Sequence, residues 1–309
     1  MGSVPIRPGV YPGTSFDAYL ALDAWNASAV KNARTPAHLA TARDEPSKKQ
    51  TAQMVLGTAL HARLLERTTS VKLIIDGPIN PATGKGFGTG TKAYDEFAAA
   101  HPGKIILARD DRKSLDLMAD KLMAHPRART LIETPGLAEL VLVWDEPAAC
   151  PGRSGPVLVR MKARVDKLIH GLLAWDLKST DDASPDAWAW TIKNYGYHIQ
   201  QDIYRRGLRA HKLPDRFAFM LSENEAPYEP EVYEIDDRPR WPDGPTTLEV
   251  ARHHVDRALS MIAACESSGL PRPKWPGYPV APEIRKIGLP YGELRRYQEE
   301  RDAEGDASP

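Results

Sequence analysis

Three strand-like runs follow one another with little chain between them: AELVLVWDE from residue 138, PVLVRMKARVDKLI from 156 and LLAWDLKS from 172. Their β-branched and apolar residues, bounded by Gly and Pro, read as strands. A long helical pattern, DAWAWTIKNYGYHIQQDIYRRGLRAH, comes next, then two more strands, FAFMLSENE and EPEVYEID, and a helix from about Thr246 to Cys265. Upstream the chain is helical. NASAVKNA opens on capping-type residues, and TAQMVLGTALHARLLE spaces Met54, Ala59, Leu60 and Leu64 as a helix would. A further helical region, RDDRKSLDLMADKLMAHPRARTLI, runs to about residue 132. With no convincing internal repeats, this order specifies one α/β domain with a helical N-terminal elaboration. The tail EERDAEGDASP is polar and charged, and is expected to be disordered.

At 309 residues the chain can bury a substantial core. Its 41 basic and 41 acidic residues cancel, so no global basic field marks a polyanion ligand; such a ligand would need a local patch. Two cysteines, Cys150 and Cys265, make neither a disulfide framework nor a four-cysteine metal site. No apolar run reaches the roughly 18 residues of a membrane span, and MGSVPIRPGVYPG lacks an apolar signal core. The expectation is a cytoplasmic protein with no membrane partner. GPINPATGKGFGTGTK, residues 77–92, reads as a mobile, weakly basic loop whose Gly and Lys lack the spacing of a phosphate loop.

The chemistry is in the strands. Side chains alternate along a strand, so Ala174, Asp176 and Lys178 point one way while Leu173, Trp175 and Leu177 point the other. On the preceding run Val159, Met161, Ala163 and Val165 form an apolar face, leaving Arg160, Lys162, Arg164 and Asp166 opposite. A hairpin centred near Gly171 sets Asp166 across from Asp176, about 5–6 Å apart, and Arg164 across from Lys178. Opposed carboxylates repel unless a cation or shared proton lies between them. A hard divalent ion fits, because Mg²⁺ takes oxygen ligands from one or two carboxylates and keeps waters for a phosphate substrate. A lysine beside it can orient a water and neutralise developing charge. The competing reading is a solvated hairpin face with diagonal ion pairs, Asp166 to Lys178 and Arg164 to Asp176.

RVDKL followed by AWDLKST resembles the core of the PD-(D/E)xK nuclease superfamily in its RecB-like branch. Further motifs of that branch occur in order: GTALH supplies Gly57 and His61, AELVLVW supplies Glu139, and QQDIY supplies Gln200 and Tyr204. Singly, each reads as an ordinary structural residue; together they carry the resemblance. More specifically, the chain looks like the RecE-type exodeoxyribonuclease VIII group of phage recombination modules, through WNASAVKNARTPAHL, LGTALHARLLE, YGYHIQQDIYRRGL and FAFMLSENEAPYEPEVYEID to PKWPGYPVAPEIRKIGLP. The resemblance implies a central mixed sheet flanked by helices. Its domain bounds are an extension at residues 1–20, an exonuclease domain at 21–295 with its core at about 136–236, and a tail at 296–309.

The same resemblance implies Mg²⁺ as cofactor, one ion or two, with Mn²⁺ as a substitute. His61, Glu139, Asp166, Asp176 and the Leu177 carbonyl become metal ligands, and Lys178 orients or activates the attacking water. Gln200 and Tyr204 support the site or touch a phosphate, while Lys162 and Arg164 bind DNA phosphate. The implied substrate is linear double-stranded DNA, degraded from 5′ ends in the cytoplasm of a bacterial host. The implied partners are a single-strand annealing protein and further copies of the chain in a ring trimer or tetramer. An endonuclease with the same core, or a non-catalytic DNA-binding module, remains an alternative.

Overall fold

Strands β4 (Leu137–Ala148) and β5 (Val157–Ile169) pair antiparallel from Leu137↔Leu168 to Ala148↔Val157 and form the spine of the molecule. The structure is a computed structural model, and it describes residues 6–44, 51–65, 73–88, 90–279 and 287–306. Around the spine the sheet runs β1-β4-β5-β6-β7-β8, with β1 at Gly9–Tyr11, β6 at Leu173–Thr180, β7 at Phe217–Glu223 and β8 at Pro230–Tyr233. Within this sheet β6 and β7 are parallel, because two helices, α8 (Pro185–Tyr195) and α9 (Tyr197–Ala210), supply the long crossover that a parallel pair needs. The mixed sheet is therefore the expected one. Strands β2 (Ile74–Asp76) and β3 (Ile105–Leu107) form a separate parallel pair.

Both faces of the sheet are covered. Helices α2 (Ala27–Val30), α9 and α10 (Thr247–Ser267) press Val30, Ile203, Leu208 and Leu259 against Trp144, Met161, Ala163 and Phe219. On the other face α4 (Ala52–Leu65), α6 (Arg109–Ala124) and α7 (Pro126–Glu133) bury Leu60, Met118 and Leu131 against Trp175, Leu177 and Met220. The sequence reading made one face of β6 core and the other a site. Ala174 corrects this: it lies in the first apolar cluster, and Asp176, Lys178 and Thr180 follow it on that face.

Local chemistry explains most element ends. Asn26 caps α2 through Oδ1, which accepts from Ala29 N at 2.9 Å, and Thr246 with Glu249 closes a capping box on α10. Met54, assigned to the inner face of α4, is exposed, and Leu56 takes that place. The region ending near residue 132 divides at His125–Pro126 into α6 and α7, since proline has no N–H to continue a helix. Another division falls between Tyr195 and Tyr197, where Gly196 takes φ 63°. A Cβ at Gly196 would lie 3.2 Å from Lys31 Cγ. Gly196→Ala is expected to cost about 1–2 kcal/mol, the penalty of a left-handed L-residue, read as a lower midpoint in urea unfolding.

The N-terminal segment assigned as an extension joins the sheet instead: Val10 pairs with Leu142, placing β1 on the β4 edge. Helix α1 (Phe16–Ala21) follows, capped by Ser15. The molecule divides into compact units Met1–Trp275 and Pro276–Pro309. Residues expected to form a disordered tail carry α11 (Tyr291–Asp306), a polar helix tied along its own surface by Arg295–Glu299 and Gln298–Asp302. Residues 307–309 of that tail lie outside the described residues. Among the described residues no helix is long and apolar enough to cross a membrane.

Candidate metal and active site

The sheet is cut open where β5 and β6 part. Their ladder runs Ile169↔Leu173, Leu168↔Ala174, Lys167↔Trp175 and ends there, one pair before Asp166 would meet Asp176. Beyond that point the β5 edge is taken by another segment: Trp25 N donates to Arg160 O and Lys162 N to Trp25 O. The opened end of β6 is held by a side chain. Asp166 Oδ2 accepts from Leu177 N at 2.6 Å, so the carboxylate replaces the missing strand acceptor. The expected hairpin is thus present, while its opposed aspartates sit in the notch where pairing stops.

Both strands of the spine switch faces at the same place. Val159 to Val165 and Leu140 to Trp144 supply alternate residues to the first apolar cluster, but Leu168, three positions after Val165, lies in that cluster too. The ladder records Leu140↔Val165 and Ala138↔Lys167 and skips Glu139 with Asp166. Glu139 has φ 53°, uncommon outside glycine and a strain of about 1–2 kcal/mol. Strain of this kind concentrates at functional sites. Its effect here is to turn two carboxylates into one notch.

Helix α4 closes the notch from the opposite layer. Gly57 lets it approach β6, since a Cβ there would be 3.3 Å from Ser179 Oγ. One turn later His61 Nδ1 is 3.4 Å from Asp166 Oδ2, and Nε2 is 3.0 Å from Leu177 O. In either neutral tautomer one ring nitrogen turns its lone pair on an oxygen. An imidazolium, or a cation beside the ring, removes the conflict. Ligating atoms of His61, Glu139 and Asp166 lie within 4.8 Å of one another. Burial, then the Asp176 charge, pushes the Asp166 carboxyl up to about 6. Crowded anionic oxygens with an imidazole form a donor set that fits a divalent cation.

Asp176 faces the other layer and is 2 % exposed. It forms an ion pair with Lys178 and accepts from Gln200 Nε2 at 3.2 Å. Burial pulls the Lys178 ammonium down, but Asp176, Tyr197 and Asp166 more than reverse this, so its net shift is upward. Lys178 Nζ also sits 5.1 Å from the Tyr197 ring centre. Tyr204 is buried behind these groups, its ring edge-on to Phe217 at 5.7 Å and its hydroxyl pushed up by burial. Gln200 and Tyr204 lie on a different helix from Trp190 and Lys193, because Gly196 separates α8 from α9, and the latter two face solvent.

Two assignments change. Lys162 is 4 % exposed, and its ammonium donates to the carbonyls of Tyr19, Leu20 and Leu22 at 2.9, 3.2 and 2.8 Å. It seals the end of α1 and has no donor to offer a DNA phosphate. Arg164 does not face Lys178, since β5 and β6 are unpaired there; it holds Glu139 Oε2 at 2.7 Å and lies over the Phe16 ring. A residue overlooked in the sequence enters instead. Lys31, the C-terminal cap of α2, donates to Gln200 Oε1 at 2.9 Å, and burial followed by the Lys178 charge pushes it down to about 7. In the letters it is one lysine at the end of a short helix; only tertiary packing brings it to Gln200.

A family model described as "PDDEXK-like domain of unknown function (DUF3799)" matches residues 26–273. Among solved structures, a protein from Eubacterium rectale proposed to be an exonuclease aligns with TM-score 0.50 and 11 % identity, over 90 % of this chain and 94 % of that one. The structure of SSO0001 aligns with TM-score 0.28 and 12 % identity, over 71 % and 78 %. No curated protein matches the chain.

Proposed function

The chain belongs to the PDDEXK-like family, and from that premise we propose that it is a divalent-metal-dependent deoxyribonuclease of the RecE-type branch, hydrolysing linear double-stranded DNA from its 5′ ends. The observation that carries this reading is the convergence of His61, Glu139 and Asp166 beside the buried Asp176–Lys178 pair. Asp166 comes from β5 and His61 from α4, so the donors meet only in the folded chain. The order of the sequence motifs supports the branch.

In this account His61, Glu139, Asp166 and Asp176 hold the ion, with Mg²⁺ the expected species. The chemistry it supplies when bound is acidification of a water and stabilisation of charge on the phosphoryl oxygens. The Leu177 carbonyl, which faces His61 Nε2, would add an oxygen donor to that set. Lys178 holds the attacking water and offsets negative charge as the in-line displacement proceeds. Gln200 fixes the Asp176 carboxylate: Lys31 engages its carbonyl, which leaves the amide to face Asp176. Tyr204 supports that glutamine.

With Mg²⁺, 5′-labelled linear duplex should be degraded while supercoiled plasmid persists, and EDTA should stop the reaction. Nicking of the plasmid would favour an endonuclease. Binding of DNA and metal with no hydrolysis of either substrate would favour a non-catalytic module. An annealing partner and a ring assembly belong to the same proposal, tested by co-purification and by sedimentation.

A further inference from the structure

The junction between α8 and α9 carries rings for which hydrolysis has no use. Trp190 is 62 % exposed and Tyr195 65 % exposed, although large aromatic side chains gain most from burial. Tyr195 stacks on Tyr197, with ring centres 5.8 Å apart and planes 15° apart. Tyr197 in turn stacks on buried Trp188 at 5.3 Å. Ammonium groups line the same rings: Lys193 lies 4.6 Å from the Trp190 ring, and Lys31 and Lys178 lie 4.8 and 5.1 Å from the Tyr197 ring. The stack thus begins in solvent at Tyr195 and passes through Tyr197, the tyrosine against which the lysine of the proposed active site rests.

We propose that the exposed rings of α8, Trp190 on its side and Tyr195 at its C-terminal end, form a stacking surface for unpaired DNA bases beside the Lys178 site. The inference rests on the nuclease reading and adds how its substrate is engaged. Three features select the occupant. Stacking on flat rings tolerates any base, as an enzyme moving along arbitrary sequence requires. The ammonium groups suit a strand carrying one phosphate per base. Bases inside a duplex present no free face, so the occupant is a separated strand. The acidic residue of this helix, Asp186, lies in the first turn, away from Tyr195 at the last.

The test measures binding of the full-length chain, with Ca²⁺ in place of Mg²⁺, to a short single-stranded oligonucleotide and to an abasic strand with the same phosphates. Wild type should prefer the strand with bases. The double variant Trp190→Ala/Tyr195→Ala should weaken that strand about 5- to 100-fold per stacked base and leave the abasic strand unchanged, whereas Tyr195→Phe should bind as wild type. Equal loss on both strands, or none on either, would overturn the platform. So would unchanged DNA binding with loss of self-association in sedimentation, which would assign the rings to a second copy of the chain. Wild-type hydrolysis of linear duplex separates the two readings: if it is absent the nuclease proposal fails, and if it persists with unaltered binding by the variants only the platform fails.

Discussion

Lys178→Met should lower Mg²⁺-dependent hydrolysis of linear duplex by about 10²–10³-fold, the loss found when a group that stabilises developing charge is removed. Methionine keeps an unbranched apolar stem against Tyr197, so the variant isolates the ammonium from the packing. Asp176 keeps its bond from Gln200 and stays available to a cation. Metal affinity should therefore be retained or rise, since Lys178 no longer competes for the carboxylate. Lys178→Arg should not restore the rate, because a planar guanidinium presents its donors in a different geometry from a compact ammonium. Product release from labelled duplex at saturating Mg²⁺ reads the effect, and activity within a few-fold of wild type would remove Lys178 from the mechanism.

The second large effect is on stability. Lys162→Met should destabilise the protein by about 2–4 kcal/mol, because it leaves three carbonyls at the end of α1, one buried and two partly buried, without their shared donor. The melting temperature should fall by roughly 5–10 °C on the scale of a large domain. DNA affinity of the folded fraction and its salt dependence should not change. A reduced salt slope with unaltered stability would instead return Lys162 to the role of a phosphate contact.

These two lysines show how far the letters could be read. Lys162 and Lys178 both stand in strands among apolar neighbours, and alternation correctly takes both out of the apolar face. It cannot say what waits opposite. For Lys178 a local motif, Asp-Leu-Lys, holds its ion-pair partner within three residues. For Lys162 the partners are carbonyls of α1, some 140 residues away, and backbone acceptors leave no trace in side-chain patterns. The mixed sheet and its helical layers followed from element order and the resemblance.

The notch between β5 and β6 was half legible. A turn at Gly171 set the register that the ladder keeps as far as Lys167↔Trp175. The parting at Asp166 depends on Trp25 taking the strand edge, a contact over 130 residues that no local period encodes. The face switch at Glu139 needs a left-handed backbone at a glutamate, against the preference of its own residue type. The break at Gly196 was visible as a glycine between two tyrosines. An unbroken apolar period across it concealed that Trp190 and Gln200 belong to different helices.

The most direct measurement is titration of the full-length protein with Mn²⁺, followed by the electron paramagnetic resonance of the free ion, on wild type, Asp166→Asn and Lys178→Met. The account predicts specific binding by wild type, a loss of at least tenfold in affinity for Asp166→Asn, and binding as tight as wild type or tighter for Lys178→Met. Absence of specific binding in wild type, or affinity in Asp166→Asn equal to wild type, would contradict a metal site built on the opened ladder.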